Sequence, residues 1–262
     1  MAITTLDGLI AASKQVRPFY KASATSKGAG SFHSLWTVAG LPGAGSAPGT
    51  AAGAACDNTT VGALPWTSPG GANSAYLAAF ELAGATAGNF TLYDRLVHTS
   101  TLSGIVTTAQ TVNSAALTRY TTGEDVEAWL EFYAATGSTA TTATVSYTNE
   151  AGTAGRTGSA AIVATTVIGQ MIPITLQAGD KGVRSVQSVT LAASTLTAGN
   201  FGVTLMKRLQ HAPNLLVNAG QSLDFGSTGL PQVVAGACLA FAVLCSATNT
   251  GIVTGAVKTA EG

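Results

Sequence analysis

Short runs in which apolar and polar residues alternate are the main pattern along this chain. Two examples are Thr144–Thr148 and Ser188–Leu191, which are rich in Thr, Val and other strand-forming residues. Alternation with a period of two places successive side chains on opposite faces of a strand. The runs are separated by Gly, Ser and Asn turns at the roughly 8–12-residue spacing of β-sandwiches. The pattern therefore predicts an all-β protein with antiparallel sheets.

A repeated motif divides the sequence into two related parts. Thr86–Phe90 and Thr197–Phe201 both read Thr-Ala-Gly-Asn-Phe, and Arg-Leu-x-His follows each of them, at Arg95–His98 and Arg208–His211. The glycines of the two motifs are 111 residues apart. So long a match indicates an internal duplication. We expect the phenylalanine of each motif to enter a core.

The duplication decides how one ambiguous apolar run folds. Val233–Cys245 has no charged residue and has the composition of a buried helix or strand, but it is shorter than the roughly 20 residues that span a bilayer. In the first copy, Ala128–Tyr133 matches Ala237–Ala242 at an offset of 109 and carries Glu131 within an alternating pattern. One wetter face suits a strand. Both runs are therefore predicted to be strands.

The beginning of the chain follows a different pattern. Apolar residues at about 3.6-residue spacing predict a short helix over residues 4–17, capped by Thr5 and stopped by Pro18. A cluster of basic residues accompanies it: Lys14, Arg17, Lys21 and Lys27. A solvated helix face is the simplest interpretation. Docking onto an acidic patch of a neighbouring subunit is a second, and contact with nucleic acid is a third.

Residues 28–79 are predicted to form an extended arm. Asp57 is their only charged residue, and Gly and Pro recur every few positions. A P-loop needs Gly-Lys-Ser/Thr after its turn and a Rossmann turn needs a strand before it, and neither pattern occurs here. A segment with so little apolar periodicity is expected to be ordered by lying across the domains or across a neighbour. Its expected anchors are Phe32, Leu35, Trp36 and Val38.

These patterns give three segments. Residues 1–60 are assigned to the N-terminal helix and extended arm, residues 61–160 to a first β-sandwich and residues 161–262 to a second. The predicted fold class is all-β, with two tandem duplicated antiparallel β-sandwich domains preceded by a short helix and an extended Gly/Pro-rich N-terminal arm.

Charge is sparse and balanced. Only 9% of the residues are charged, and twelve basic residues offset twelve acidic ones. A typical soluble domain has about 25%, and a free monomer with so few surface charges is poorly protected against association. We therefore expect other subunits to cover much of the surface. A net charge of zero gives no overall field for nucleic acid or anionic membranes.

The sequence offers little candidate chemistry. Cys56, Cys238 and Cys245 form no disulfide or metal-binding pattern and are predicted to be buried. His98 and His211 are equivalent in the duplication, and we assign them structural roles at strand ends. A metal site needs three or four convergent ligands, and no such spacing occurs. We expect no enzymatic activity, no cofactor and no metal.

The densest acidic cluster surrounds Trp129. In a strand, Glu127 and Glu131 share one face with Trp129 between them. That arrangement would suit a sugar-binding platform or a pair of catalytic carboxylates. The matching strand of the second copy has no acid, which favours a solvated or intersubunit face.

Several segments resemble a family of virion structural proteins from tailed bacteriophages, of the capsid decoration or accessory type. The similar segments are His33–Trp36, Ala39–Gly45, Tyr93–His98, Val145–Arg156 and Gly179–Ser188. Together they are spread over most of the chain. The resemblance implies a place in the virus particle and no catalytic residue.

Composition and resemblance together predict a non-enzymatic virion structural protein. We expect a capsid decoration or cement protein that stabilises the phage head by binding between capsomers, assembled in the bacterial host cytoplasm. Its expected partners are the major capsid protein and copies of itself, for example in a trimer, with no nucleic acid and no membrane. The alternatives are a tail, collar or baseplate protein, or a host receptor- or glycan-binding module. The candidate interaction residues are Lys14, Arg17, Lys21, Lys27, Phe32, Trp36, Glu127, Trp129 and Glu131.

Overall fold

The computed structural model describes residues 3–71 and 73–262, which are mostly strands and connecting loops. Two short helices, α1 (Leu6–Ala11) and α2 (Phe225–Thr228), accompany the strands. The strands are β1 (Ser13–Lys21), β2 (Phe32–Ser34), β3 (Gly40–Leu41), β4 (Ala54–Ala55), β5 (Ala75–Gly84), β6 (Gly88–His98), β7 (Gln110–Thr111), β8 (Val126–Ala134), β9 (Thr141–Asn149), β10 (Arg156–Ile162), β11 (Gln170–Pro173), β12 (Val183–Leu191), β13 (Asn200–Asn214), β14 (Gln221–Leu223), β15 (Gln232–Val233), β16 (Leu239–Cys245) and β17 (Val253–Glu261). The predicted all-β class is confirmed.

The N-terminal helix is shorter than the sequence predicts. Thr5 caps α1 as expected, since its hydroxyl oxygen accepts a hydrogen bond from the Gly8 N–H at 3.0 Å. The prediction of helix over residues 13–17 is wrong, because these residues belong to β1 and pair with β17. Backbone pairing along the whole of β1 outweighs the weak helical periodicity beyond Ala11.

Six strands close into a barrel at the centre of the molecule. Their order is β13, β8, β11, β2, β16 and β6, and β6 pairs back onto β13. The short strand β4 adds to β6 outside this ring. Two more sheets flank the barrel. Outer sheet A has the order β14-β5-β17-β1-β3, with β15 also on β5, and outer sheet B has the order β10-β9-β12-β7.

Two apolar cores lie between the barrel and the outer sheets. In the first core, Phe132 and Phe201 of the barrel stack at 5.3 Å and share a cluster with Val145 of outer sheet B. In the second core, Phe241 of the barrel stacks on Phe19 of outer sheet A at 4.3 Å. The barrel therefore contributes its outer face to both cores.

The duplicated strands β6 and β13 pair with each other around a local two-fold axis. Arg95 lies opposite Met206, and Arg208 lies opposite Tyr93. For each paired residue of Thr91–His98 in β6, adding 113 to its number and subtracting 113 from that of its β13 partner gives another pair of the same two strands. The pairing is therefore symmetric about this axis. The outer sheets obey the same exchange, because β14-β5-β17-β1 in sheet A corresponds to β7-β12-β9-β10 in sheet B.

Each of these two strands passes through both cores. β6 starts in the second core with Phe90 and ends in the first with Val97, whereas β13 starts in the first core with Phe201 and ends in the second with Ala212. The expected burial of the two motif phenylalanines is confirmed. Because the strands cross between cores, the cores cut across the segments 61–160 and 161–262 and do not coincide with them.

The apolar run near residue 240 is a strand, β16, as predicted. Its register against the first copy differs from the sequence alignment. Ala128 pairs with Leu205 of β13 and Phe241 pairs with Leu92 of β6. Leu92 and Leu205 are 113 residues apart, as are Ala128 and Phe241, so the structural offset is 113 and the predicted 109 is wrong. A difference of four residues keeps the same side chains on the same face of a strand, which is why the burial pattern could still be predicted.

The Gly/Pro-rich arm is an insertion into the first copy. Beyond β11, the Ile174 N–H donates to the Ala128 carbonyl at 3.0 Å, and beyond β2 the Leu35 N–H donates to the equivalent Phe241 carbonyl at 2.9 Å. From this common point the second copy reaches β12 through residues 175–182. The first copy reaches β5 only through residues 36–74, which we call the inserted arm.

The inserted arm lies across its own molecule. The expected anchors Leu35, Trp36 and Val38 are buried against the barrel and the second core. Trp36 is held closely, because a Cβ at Gly45 would lie 2.3 Å from the indole ring. Only glycine fits there. The expectation that the arm is ordered by lying across the domains is confirmed.

Candidate functional site

The inner face of the barrel is lined by the residues that alternate with the core positions. Because Leu130 and Phe132 face the first core, Glu127, Trp129 and Glu131 lie on the opposite face of β8. The prediction that these three side chains share one face is confirmed. The apolar filling of the barrel consists of Phe32, Tyr93, Trp129, Met171, Met206 and Ala242.

A buried ion pair lies deeper in the barrel. Arg95 donates to Glu131 at 2.6 Å, and both side chains are only 1% exposed. The hydroxyls of Tyr133 and Thr204 also donate to Glu131, at 3.1 and 2.6 Å. Burial alone would raise the pKa of Glu131, but the Arg95 charge and these hydrogen bonds outweigh it and the pKa is lowered. Glu131 is therefore a charged structural group, and its predicted place on a solvated face is wrong.

One end of the barrel is closed by the inserted arm. The Trp36 ring covers the Arg95 guanidinium at 4.4 Å and meets the His98 ring edge-on at 5.7 Å. Its indole N–H donates to the Ser46 carbonyl at 3.1 Å. The other side chains of this cluster are small and apolar: Cys56, Ala63, Cys238 and Ala240. We call this arrangement the capped end.

A second buried ion pair fastens the arm to the barrel. Arg119 binds both carboxylate oxygens of Asp94, at 2.7 and 2.9 Å, and donates to the Cys56 carbonyl at 2.9 Å. The Cys238 N–H also donates to Asp94, at 2.9 Å. The bidentate geometry fixes the orientation of the guanidinium, so Arg119 links the arm at Cys56 to Asp94 of β6 at a defined point.

An open cleft of about 490 Å³ lies elsewhere on the barrel. Phe32 and Trp129 form its apolar floor, with ring centroids 5.1 Å apart. Charged side chains form its rim, and Pro173 and Ile174 form the wall next to β11. The charged residues of the rim are Asp125, Glu127, Lys181 and Arg208.

Glu127 is fully engaged at this cleft. It accepts hydrogen bonds from the Trp129 indole at 3.0 Å, from Tyr93 at 3.3 Å and from Arg208, whose Nε lies 2.8 Å away. It is therefore not arranged as a free general acid or base, and Glu131 is locked by Arg95. The two carboxylates do not form a hydrolytic pair. Trp129 is only 5% exposed, which leaves little ring surface for stacking a sugar.

The four predicted basic residues do not form one surface. Lys14 is exposed and donates to the Ile10 and Ala12 carbonyls at the end of α1. Arg17 contacts Gln15 and Thr67. Lys21 and Lys27 are buried, and their ammonium groups donate to backbone carbonyls, including those of Val38 and Pro42 for Lys21. The predicted solvated basic face is wrong, because alternation along β1 turns Lys21 inward.

Lys21 is a buried cation with an altered pKa. Its Nζ lies 3.1 Å from the Val38 carbonyl and 2.9 Å from that of Pro42. Burial lowers its pKa to about 8. Lys21 thus binds β1 to the start of the inserted arm at the cost of burying a charge.

The structure brings together only part of the predicted interaction set. Phe32, Glu127 and Trp129 meet at the open cleft, whereas Trp36 and Glu131 lie at the capped end. Sequence reasoning did not select the cleft residues Asp125, Lys181 and Arg208. For Arg208 a signal was present, since it is the duplicate of Arg95, but the repeat does not show which copy is open to solvent.

One of the two histidines predicted at strand ends lies there, and the other does not. His98 ends β6 and packs under Trp36, whereas His211 lies within β13 and is exposed.

Within residues 3–71 and 73–262, no three His, Cys, Asp or Glu side chains are grouped so that they could hold a metal ion. In the same part of the chain, no helix has the length and apolar character needed to cross a bilayer.

Comparisons with known proteins give little guidance. No protein family matches the chain, and no curated protein matches it. Among solved structures, the VP2 subviral particle of infectious bursal disease virus is similar with 10% sequence identity and a TM-score of 0.21, over 95% of this chain and 80% of that one. A TM-score this low does not establish a shared fold.

Proposed function

We propose that this protein is a non-enzymatic structural component of a bacteriophage virion. More specifically, we propose a capsid decoration protein that binds between capsomers, with the major capsid protein and copies of itself as partners. The supporting features are the segments similar to phage virion proteins, the low charge, and the exposed apolar side chains of the loops that follow β6 and β13.

The observation that carries the proposal is a pair of apolar, uncharged loops, one after β6 and one after β13, which we call the tips. The loop after β6 exposes Ile105 and Val106, and the loop after β13 exposes Leu216 and Val217, at the same offset of 111 as the repeated motif. Ile105 is 50% exposed and Leu216 is 72% exposed. Neither loop contains an Asp, Glu, Lys or Arg. Contiguous exposed apolar patches mark protein–protein contact sites, and each tip places at least two exposed apolar side chains next to each other in the sequence.

The architecture between the tips suits a wedge. The tips lie at opposite ends of the long β6–β13 ribbon, which is held by a closed barrel and two cores. Closed barrels have no free edge at which to deform. A rigid body with an apolar contact at each end can bridge two neighbouring subunits of a shell.

A glycan-binding module receives less support. The aromatic residues that would stack on sugars, Trp66 and Trp129, are each 5% exposed, and Tyr133 is hydrogen-bonded inside the barrel. Little ring surface is therefore available without rearrangement.

The proposal is tested by binding the purified protein to phage heads that lack tails. We expect binding at a fixed copy number per head, visible between capsomers by cryo-electron microscopy. Location on tails, collar or baseplate alone would exclude a decoration protein and favour the tail alternative.

Two surface variants connect the binding test to the tips. Ile105→Glu and Leu216→Glu place a charge in each apolar contact and should each reduce head binding. Val61→Glu is the matched control, because Val61 is 73% exposed and belongs to the inserted arm, not to either tip loop. Equal binding by all three variants would contradict the role of the tips.

A further inference from the structure

The two duplicated arginines lie in contrasting surroundings. Arg95 is covered by the Trp36 ring and its side chain is 1% exposed. Arg208, which the two-fold exchange places in the equivalent position on the barrel, has a side chain that is 55% exposed. The same difference applies to the histidine of each motif, since His98 is buried and His211 is exposed.

The open cleft is the symmetry counterpart of the capped end. At the offset of 113 between β8 and β16, Asp125 and Glu127 of the cleft correspond to Cys238 and Ala240 of the capped end. Ile174 of the cleft wall corresponds to Leu35, after which the inserted arm begins. At the capped end the next residue, Trp36, covers the arginine. In the second copy the chain continues to β12 through residues 175–182. Leu176 and Lys181 of this segment line the cleft, but the segment has no aromatic residue to cover Arg208, whose side chain is 55% exposed.

We propose that the open cleft binds an extended segment of a partner protein that carries an aromatic side chain. The aromatic ring lies over the Arg208 guanidinium, as Trp36 lies over Arg95. This inference does not depend on the proposed place in the virion.

The chemistry of the cleft fits that occupant. A guanidinium is electrostatically complementary to the negative face of an aromatic ring, and Arg208 presents an exposed guanidinium held in place by Glu127. Phe32 and Trp129 give the cleft an apolar floor, and a volume of about 490 Å³ lies within the usual range for binding sites.

The charges at the rim also favour a polypeptide. Asp125 immediately precedes β8 and Glu127 lies on it, while Lys181 and Arg208 come from other parts of the chain. Groups of both signs can pair with the N–H and C=O groups and the mixed side chains of an extended segment.

The test uses a synthetic peptide with the sequence of residues 34–48, which contains the Trp36 loop. It is titrated to millimolar concentration into the isotopically labelled full chain, and the three tryptophan indole N–H resonances are followed by NMR. We expect a saturable shift of the Trp129 resonance, with those of Trp36 and Trp66 unmoved. The same peptide with alanine in place of its tryptophan should bind about tenfold more weakly, which corresponds to a cation–π contact of ordinary strength.

Variants of the protein assign the binding to Arg208. Arg208→Ala and Arg208→Lys should each weaken peptide binding, because lysine keeps the charge and loses the planar stacking surface. Lys258→Ala is the matched control, since Lys258 is also a half-exposed cation in an ion pair, with Glu81, but lies on outer sheet A. The melting temperature of each variant shows whether it remains folded.

Four results would overturn the proposal. One is the absence of a saturable Trp129 shift at millimolar peptide. Another is equal binding of the tryptophan and alanine peptides. A third is equal binding by the folded Arg208→Lys and wild-type proteins. The fourth is a Trp129 shift caused by a glucose disaccharide but not by the peptide, which would assign the cleft to glycans.

Discussion

Arg95 and Arg208 show how one repeated residue takes two roles. Arg95 neutralises Glu131 inside the barrel, whereas Arg208 pairs with Glu127 at the edge of the open cleft. Their neighbours decide the difference, because the inserted arm covers only Arg95. A buried ion pair is weak evidence for net stability, but its loss leaves an uncompensated charge.

The buried pair gives a prediction at this scale. Glu131→Ala should lower the free energy of unfolding by about 3–5 kcal/mol, because Arg95 would remain buried without its counter-charge. Glu81→Ala is the control, since it removes the partly exposed Glu81–Lys258 pair and should cost at most about 1 kcal/mol. Urea denaturation of both variants measures the difference. Equal effects would show that Arg95 is not held as a buried charge.

Lys21 gives a prediction about pH. Its pKa is about 8 in the folded protein and about 10.5 in the unfolded chain, so between these values the unfolded state binds more protons and stability rises with pH. Relative to a Lys21→Met variant, the free energy of unfolding of the wild type should rise by on the order of 2 kcal/mol between pH 8 and pH 10.5. Denaturation of both proteins across this range measures the gain. A constant difference would mean that Lys21 titrates normally.

The inserted arm is the element that makes the two copies unequal. Its path depends on the close contact between Gly45 and the Trp36 ring. The arm has little secondary structure of its own, since among its described residues, 36–71 and 73–74, only β3 and β4 pair with other strands. Its order therefore depends on a few anchor contacts.

A matched pair of glycine variants tests those anchors. Gly45→Ala should lower the free energy of unfolding by about 1–3 kcal/mol, because the new methyl group would overlap the Trp36 ring. Gly43→Ala should have little effect, because nothing lies within 4 Å of a Cβ at that position. Thermal denaturation of the two variants gives the comparison. Similar melting temperatures would indicate that the arm shifts freely around Trp36.

Much of this element-level structure could be predicted from the sequence, and the reasons for the failures are physical. Alternation identified β8, β9, β12 and β16, since burial of one strand face leaves a period of two. The burial of Lys21 was not predictable, because backbone carbonyls from residues 38 and 42 supply its partners and no sequence pattern records them. The open cleft was found only in part, because its rim joins residues far apart in the chain.

At the scale of the whole molecule, the two copies are interlocked. In the structure the first copy runs from β1 to β9 and the second from β10 to β17, so the boundary lies between Asn149 and Arg156 and not at residue 160. β9 of the first copy pairs with β10 and β12 of the second, and β17 of the second pairs with β1 and β5 of the first. Neither copy therefore contains a complete core. The duplication was visible in sequence, but the exchange of strands was not, because local patterns carry no information on which strands pair.

Fragment complementation tests this interlocking. Residues 1–152 and residues 153–262, produced separately, should each lack a cooperative unfolding transition, because each leaves apolar faces of both cores uncovered. Mixed together, they should form a one-to-one complex with the circular dichroism of the intact protein. Cooperative unfolding of either fragment alone would show that a copy is an independent domain.

The position of β17 also has a consequence for biosynthesis. This strand lies between β5 and β1 in outer sheet A, although it is the last of the three to be translated. Outer sheet A therefore cannot be completed until the ribosome has made residues 253–261. Contacts this distant along the chain slow folding and leave apolar strands exposed meanwhile. We therefore expect the edges of β5 and β1 that pair with β17 to stay uncovered during translation until residues 253–261 have been made.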